Sequence, residues 1–164
     1  MNEIVTDEHY VYLELGSNIN PEHNLPVAID ILRQLVRVEK VSSVWETPAI
    51  GSAGPNFFNL AVLIRSSLAP DVLKLLILRK IEAYLGRKRT ADKNAPRTID
   101  IDIVIVDGKV VDEHLWHFAH LAIPLAELIP DLKRNENQGE TLKQVSERLS
   151  ANEPGCRRTN LVIN

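Results

Sequence analysis

The chain has 164 residues, a hydrophobic fraction of 45% and a formal net charge of -3, values typical of one globular domain and not of a generally basic nucleic-acid binder. Its single cysteine, Cys156, excludes an intramolecular disulfide, and no apolar run approaches the ~20 residues that span a bilayer. Residues 1–9 are polar and acidic and lack the apolar core of a signal peptide. We therefore expect one cytoplasmic domain over 1–164, with ends at 1–9 and 152–164 that can be flexible.

Hydrophobic periodicity and turn residues predict a mixed order of strands and helices. The predicted elements are a strand at 10–15, a helix at 24–36, a strand at 38–44, a loop at 46–56, a strand at 57–64, a helix at 69–85, a strand at 99–106, a hairpin strand at 109–111, a helical turn at 125–129 and a helix at 141–149. Pro70 fits the first turn of its helix and Gly86 fits the position after the last turn. The order β-α-β-β-α-β with a C-terminal extension predicts an α+β, ferredoxin-like sandwich.

The segment RTIDID at 97–102 carries the strongest functional signal. Side chains alternate along a strand, so the isoleucines face the core while Asp100 and Asp102 share the other face. Two carboxylates about 6.5–7 Å apart repel each other by roughly 2 kcal/mol at an effective dielectric of ~20. A magnesium ion, which prefers carboxylate and phosphate oxygens, would relieve this repulsion. An isolated Asp-x-Asp more often lies on a solvent-exposed strand face, so the choice between a metal site and such a face depends on the neighbouring residues.

The preceding segment, 79–97, is strongly basic. It contains seven Lys or Arg residues against two acidic ones, a net charge of +5. Basic side chains bind phosphate oxygens while carboxylates hold the metal, so the pattern indicates a metal–phosphate site. The helix dipole also explains Arg87 and Lys88 near a helix C-terminus, but it does not explain Arg97. The sequence thus predicts a magnesium-dependent site for ATP at the two aspartates.

The sequence also contains the parts of a pocket for a flat ligand. No Walker A motif or kinase-type glycine-rich loop occurs, so side chains and metal must hold the nucleotide. The turn Gly16-Ser17-Asn18 lets the backbone approach a ligand closely. The segment 46–59 supplies prolines, amides, hydroxyls and aromatic rings, which suit a planar heterocycle. Phe57 and Phe58 point to opposite faces of a strand, so only one of them can face a ligand.

His114, His117 and His120 recur at every third residue. They lack a cysteine or acidic partner at zinc-ligand spacing, so we expect surface or phosphate-facing roles and not a zinc site. Cys156 has no neighbouring histidine to activate it and is not expected to be a nucleophile.

Five motifs occur in one order within about residues 10–132. They are Leu15-Gly16-Ser17-Asn18, Glu46-Thr47-Pro48, Phe57-x-Asn59, Gly86-Arg87-x-Arg89 and Ala95-Pro96-Arg97-Thr98-Ile99-Asp100-Ile101-Asp102. Together they resemble the 6-hydroxymethyl-7,8-dihydropterin pyrophosphokinase family of folate biosynthesis. The resemblance implies a ferredoxin-like fold and transfer of the β,γ-pyrophosphoryl group of ATP to the pterin hydroxymethyl group, with release of AMP. It implies two magnesium ions, with ATP and a pterin alcohol as partners; we expect no nucleic-acid or membrane partner, and a monomer by default.

The resemblance also assigns roles to individual residues. Asp100 and Asp102 are the implied metal ligands. The implied catalytic and phosphate-binding residues are Arg87, Arg89 and Arg97, the first two on a mobile loop, and the nucleotide site also includes Glu82 and Ile103. The implied acceptor pocket consists of Thr47, Pro48, Ile50, Phe57 and Asn59, with Asn59 hydrogen-bonding the pterin and Phe57 stacking on it.

Two departures concern the acceptor. The family commonly has Trp-Gly-Pro-Arg before the metal strand, where this chain has Asn94-Ala95-Pro96-Arg97. The usual Arg-x-Phe before Pro124-Leu125 is absent, so Phe118 or His120 would have to replace its ring. Three alternatives therefore stay open: the same fold with another heterocyclic acceptor, an RNA-binding ferredoxin-like module, and a ligand-binding paralogue without turnover. The RNA-binding alternative is weakened by the two aspartates and the lack of aromatic residues on strand 99–106.

Overall fold

The computed structural model describes residues 7–51, 53–135 and 138–164, which form one antiparallel sheet with helices on both faces. The strands are β1 (His9–Ser17), β2 (Arg37–Val41), β3 (Trp45–Thr47), β4 (Phe57–Ser66), β5 (Asp100–Val106), β6 (Lys109–Val110) and β7 (Arg157–Arg158). The helices are α1 (Pro21–Leu35), α2 (Pro70–Leu73), α3 (Arg79–Tyr84), α4 (Ala119–Leu128) and α5 (Leu142–Asn152). A π-helical stretch (Lys74–Leu78) joins α2 to α3, and a 3-10 turn (Glu113–Trp116) precedes α4. The expected combination of helices and a sheet is confirmed.

The sheet order is β6-β5-β1-β4-β3-β7, and β2 also pairs with β4. Leu13 and its odd-numbered neighbours in β1 pack on one core, beneath α1 and the α2–α3 segment. Ala61 of β4 and Val104 of β5 contribute to a second core beneath α4 and α5. Even-numbered residues of β1 therefore point to the α4 side of the sheet, which is the side that carries the cavities described below.

The predicted strand at 38–44 is two short strands, with β2 ending at Val41 and β3 beginning at Trp45. Ser42 causes the break. Its N–H donates to the Ala61 carbonyl (2.9 Å), while Ala61 N–H donates to the Ser42 hydroxyl (2.8 Å). A side chain thus replaces a backbone carbonyl in the ladder. The predicted loop at 46–56 accordingly begins later, because Glu46 and Thr47 belong to β3.

The predicted helix at 69–85 is helical throughout but changes its winding in the middle. Leu73 and Leu78 are both buried, five residues apart, and Ile81 and Glu82 follow on the same side. A uniform α-helix would instead bury residues three or four positions apart. Gly86 then ends the segment with a φ of +81°, as its position predicted.

The C-terminal part differs most from expectation. The predicted helical turn at 125–129 is the end of α4, a ten-residue helix that contains Pro124. The predicted hairpin is confirmed: Asp107 and Gly108 both have positive φ (+49° and +78°) between β5 and β6. β7 pairs with β3 in a way that no sequence pattern indicated. Residues 1–6 of the segment expected to be flexible lie outside the described part. Among the residues that the structure covers, no helix is long and apolar enough to cross a membrane.

Candidate active site

Two adjoining cavities meet at the beginning of β5. The first is lined by Glu14, Gly16, Thr47, Pro48, Ile50, Phe57, Asn59, Lys93, Asn94, Arg97, Asp100, Asp102 and His120. The second is lined by Arg87, Lys88, Arg89, Thr90, Asp92, Lys93, Ala95, Pro96, Arg97, Asp100 and Asp102. Both aspartates, together with Arg97 and Lys93, border both cavities. One cavity contains rings and amides, the other is mostly basic, and carboxylates lie between them.

The two aspartates have different surroundings although they share a strand face. Asp100 is ion-paired to Arg87 and to Arg97, each at 3.1 Å. Asp102 forms no ion pair within the described residues. Burial, reinforced by the charge of Asp100 and partly offset by Lys74, raises the pKa of Asp102 to about 6. Of the two aspartates, Asp102 is therefore the one whose charge is less compensated.

Glu82 organises the basic groups on the second cavity. It is buried within α3 and lies 3.3 Å from Arg87 and 3.4 Å from Arg89. Burial and the Asp100 charge raise the pKa of Glu82 to about 7, with the two arginines opposing the shift. The Arg87 side chain is 10% exposed, whereas that of Arg89 is 57% exposed. Arg89 is therefore the more accessible of the two arginines to a ligand in the cavity.

The first cavity contains the residues predicted for a flat acceptor. Asn59 is buried and its side-chain N–H donates to the Thr47 hydroxyl (2.6 Å), which leaves the amide oxygen as an acceptor. Phe57 lines the cavity whereas Phe58 packs against the core, so the alternation leaves Phe57 as the cavity-facing ring. The Arg97 guanidinium lies 5.9 Å from the centre of the Phe57 ring. Pro48 and Ile50 also line this cavity.

The turn after β1 holds the two cavity-forming loops together. Asn18 accepts a hydrogen bond from the backbone N–H of Arg97 (2.7 Å) and donates one to the Pro55 carbonyl (3.2 Å). Its own N–H donates to the Arg97 carbonyl (3.1 Å). Gly16 lies inside the cavity, where a Cβ would come within 3.0 Å of the Asn59 amide oxygen. The turn therefore anchors both loops, and Gly16, which lies within β1, leaves space in the cavity.

Two predicted residues, Ile103 and Glu82, line neither cavity, and several lining residues were not predicted. Ile103 packs against the core and borders a separate depression beside Pro70 and Lys74, so it belongs to neither cavity. Glu14 and His120 were not among the predicted site residues, although His120 was considered as a replacement ring. A glutamate within the apolar run YVYLEL was the signal for Glu14. His120 could be located only from the way α4 packs over the sheet.

Two of the three histidines stack on Phe118. His114 bonds to Asp112 (2.8 Å) and stacks on Phe118, and Phe118 stacks on His120 with ring centres 5.6 Å apart. Burial lowers the pKa of His120 to about 4, so its ring is neutral near pH 7. Within the described ranges there is no group of three or more potential metal-ligating side chains.

The carboxylates between the two cavities nevertheless fit a divalent cation. Magnesium is usually held by one or two protein carboxylates, with water and substrate phosphates completing its shell. Asp100 and Asp102 provide two such groups. Glu14 is paired across the sheet with Asp102, and burial together with these two aspartates raises the pKa of Glu14 well above its ordinary value. A cation beside Asp102 would relieve this excess of negative charge.

Comparison with known proteins identifies the family. Residues 12–130 match the family model described as 7,8-dihydro-6-hydroxymethylpterin-pyrophosphokinase (HPPK). A 2-amino-4-hydroxy-6-hydroxymethyldihydropteridine pyrophosphokinase from Aquifex aeolicus is 35% identical over 132 residues, which cover 74% of this chain and 81% of the relative. The Bacillus subtilis protein of the same name is 34% identical and covers 79% of this chain and 84% of the relative.

The chain also shares its fold with a solved structure. The crystal structure of Plasmodium falciparum HPPK-DHPS matches with a TM-score of 0.73 at 12% identity. The match covers 95% of this chain but 46% of the Plasmodium chain, so this chain spans less than half of that longer protein. With the family model matching most of the sequence, the chain belongs to the 7,8-dihydro-6-hydroxymethylpterin-pyrophosphokinase family.

Proposed function

We propose that this chain is an ATP-dependent pyrophosphokinase of folate biosynthesis. It transfers the β,γ-pyrophosphoryl group of ATP to the hydroxymethyl group of 6-hydroxymethyl-7,8-dihydropterin and releases AMP. The observation that carries this proposal is the pair of cavities that share Asp100, Asp102 and Arg97. A reaction between a triphosphate and a flat alcohol needs two subsites that meet at the transferred group, and this arrangement supplies them.

The basic cavity is the proposed triphosphate subsite. Arg87 and Arg89 already pair with Glu82, so phosphate oxygens would replace a carboxylate that burial makes a poor anion. Arg89 is the more exposed of the two and would reach the phosphates first. Arg97 borders both subsites and orients the transferred group toward the acceptor. Catalysis would then rest on positioning and on stabilisation of the developing charge.

Asp100 and Asp102 are the proposed holders of magnesium. Bound magnesium supplies charge neutralisation for the triphosphate. Two ions are expected for the family, and the two subsites meet at these carboxylates. The ion pairs of Asp100 with Arg87 and Arg97 orient its carboxylate, while the raised pKa of Asp102 makes it the aspartate that a bound cation would stabilise more.

The proposed acceptor subsite holds the heterocycle between rings and amides. Phe57 offers a stacking face, and Asn59 offers a hydrogen-bond acceptor fixed by Thr47. His120, neutral and braced by Phe118, supplies a second flat ring in place of the aromatic residue that is usual in the family. This arrangement supports recognition of a planar heterocycle.

The finer fold assignment is also a proposal. β1 and β2 are linked by α1 and both pair with β4, while β5 lies on the other side of β1. This order supports a ferredoxin-like split βαβ core with β3, β6 and β7 added. Because one chain lines both cavities, we propose a single-domain enzyme that works as a monomer. A cytoplasmic location suits its use of ATP.

One alternative function has a specific observation in its favour. Asn94 and His120 line the first cavity, where the family usually has larger aromatic residues. Because these smaller residues change the shape of the cavity, a different heterocyclic alcohol could be the acceptor. An acceptor screen scored by AMP formation separates the two functions: the dihydropterin alcohol should give the highest kcat/KM, and a clearly better alternative substrate would favour the second function.

The direct test is incubation with ATP, magnesium and 6-hydroxymethyl-7,8-dihydropterin, with AMP and the pterin diphosphate measured by chromatography. Asp100→Ala and Asp102→Ala should abolish AMP release while circular dichroism shows a folded protein. Asp107→Ala is the matched control, because Asp107 lies just beyond the far end of the same strand and binds His9 instead. Full magnesium-dependent activity in Asp102→Ala would contradict the proposed site, and absence of AMP with the unaltered chain would contradict the function.

A further inference from the structure

Glu14 is a buried carboxylate in the first cavity that the proposed mechanism does not use. It lies in the middle of β1, is 3% exposed, and projects to the cavity side of the sheet. Its Oε1 has no hydrogen-bond partner among the described residues, and the side chain forms no ion pair with them. A buried acceptor without a partner costs free energy, so an apolar residue would give a more stable strand. Such a cost is common at sites that bind a ligand.

The position of Oε1 shows which part of the cavity it faces. A Cβ built on Gly16 would lie 3.5 Å from Glu14 Oε1, 3.0 Å from the Asn59 amide oxygen and 3.6 Å from the Phe57 ring. These three groups therefore border the same small volume, which is open because residue 16 has no side chain. Asn59 uses its N–H to bind Thr47. This end of the cavity thus presents two acceptor oxygens, from neighbouring strands, beside a ring edge.

We propose that Glu14 is a specificity-determining residue of the acceptor subsite, whose Oε1 accepts a hydrogen bond from an N–H group on the edge of the bound heterocycle. This inference rests on the proposed function. A 2-amino-4-oxopteridine carries an exocyclic amino group next to a ring N–H, and two adjacent donors match the two acceptors of Glu14 and Asn59. A carboxyl oxygen accepts hydrogen bonds whether or not the group is ionised, so recognition does not depend on the charge of Glu14.

Two other roles for Glu14 fit less well. As a third metal ligand it would have to cluster with the paired aspartates, yet the described part of the chain contains no group of three potential ligands. As a base for the acceptor hydroxyl it would have to face the transferred phosphoryl group, whereas Oε1 borders the volume next to Gly16 and Phe57. Glu14 therefore lies where the heterocycle is expected to bind and not where the phosphates of ATP are expected.

The test compares two ligands in matched variants of the full chain. Binding of 6-hydroxymethylpterin and of its analogue without the 2-amino group is measured by calorimetry, with magnesium and α,β-methylene-ATP present. The unaltered chain should prefer the amino compound by about 10–100-fold, the effect of one buried hydrogen bond and its loss. Glu14→Leu, which keeps the bulk but has no acceptor, should reduce this preference to about threefold or less. Glu14→Gln keeps an acceptor oxygen and should retain most of it.

Glu39→Gln is the control, since Glu39 lies in β2 and pairs with Arg65 at 2.6 Å, away from both cavities; it should leave the preference unchanged. If Glu14→Leu does not fold, Glu14→Ala provides the same comparison. The inference is overturned if a folded variant without the carboxyl keeps the wild-type preference, or if it loses affinity for the magnesium–nucleotide complex and not for the heterocycle. An unaltered chain that binds both compounds equally also overturns it, whereas a chain that binds neither contradicts the proposed function.

Discussion

Replacing Asp102 by asparagine should stabilise the metal-free protein near neutral pH while it abolishes pyrophosphoryl transfer. The pKa of Asp102 is raised from 3.8 to about 6, chiefly by burial and then by Asp100. A raised pKa means that the folded state binds more protons than the unfolded state between about pH 4 and 6, so the free energy of unfolding decreases as pH rises through that range. At 1.36 kcal/mol per pKa unit, reduced for partial exposure, the penalty above pH 6 is about 1–3 kcal/mol.

The measurement is urea unfolding of the two proteins with a chelator, at about pH 4 and about pH 7.5. Asp102→Asn should be more stable than the unaltered chain at the higher pH and nearly equal at the lower one. Asp100→Asn is the matched control, for which the opposite change is expected. It removes the partner of Arg87 and Arg97 and should lower the free energy of unfolding by about 1–3 kcal/mol. The reasoning is refuted if Asp102→Asn is less stable at pH 7.5, or if its advantage is the same at both pH values.

Three further predictions concern positions around the site. Gly16→Ala places a Cβ 3.0 Å from the Asn59 amide oxygen, so KM for the acceptor should rise about tenfold while KM for ATP stays constant; equal changes in both would contradict this. The pKa of His120 is lowered to about 4, so protonation favours the unfolded state below pH 6.5, and His120→Phe should avoid a loss of about 1–2 kcal/mol in urea unfolding near pH 5; an unchanged pH dependence would argue against it. Glu127→Ala removes the acceptor of the Trp45 indole N–H (2.6 Å) and should lower stability by about 1 kcal/mol with a change in tryptophan fluorescence; no change in either would show that the bond is dispensable.

Predictions from the sequence were correct where one short segment decides its own conformation. The Asp107-Gly108 pair predicted a tight hairpin, because both residues tolerate positive φ. Gly86 predicted the helix end for the same reason. The alternation in 99–106 placed Asp100 and Asp102 on one face, and both border the same two cavities. In each case local sterics or strand periodicity allows few other backbone conformations or side-chain orientations.

The predictions were wrong where packing overrides local preference. A helical turn was predicted only at 125–129, yet α4 starts at Ala119 and includes Pro124, and residues 121–125 are all buried in the second core. Burial of that continuous apolar stretch outweighs the one hydrogen bond that proline cannot donate. The π-helical stretch after Leu73 has a similar origin, because it turns Leu78 and Glu82 toward the interior. No propensity scale contains that information.

The sequence by itself determined the strand that carries Asp100 and Asp102, the basic segment before it and the family motifs, because each of these lies within a segment of about 20 residues. Only the tertiary structure decided that Glu14 and His120 line the first cavity and that Ile103, expected at the nucleotide site, lines neither cavity. Glu14 lies on β1 and His120 on α4, more than 100 positions apart in the chain. The bulge that shifts β1 against β5 near Leu13 and the packing of α4 over the sheet bring such residues together. Long-range pairing and packing depend on the whole chain at once, so no single segment encodes them.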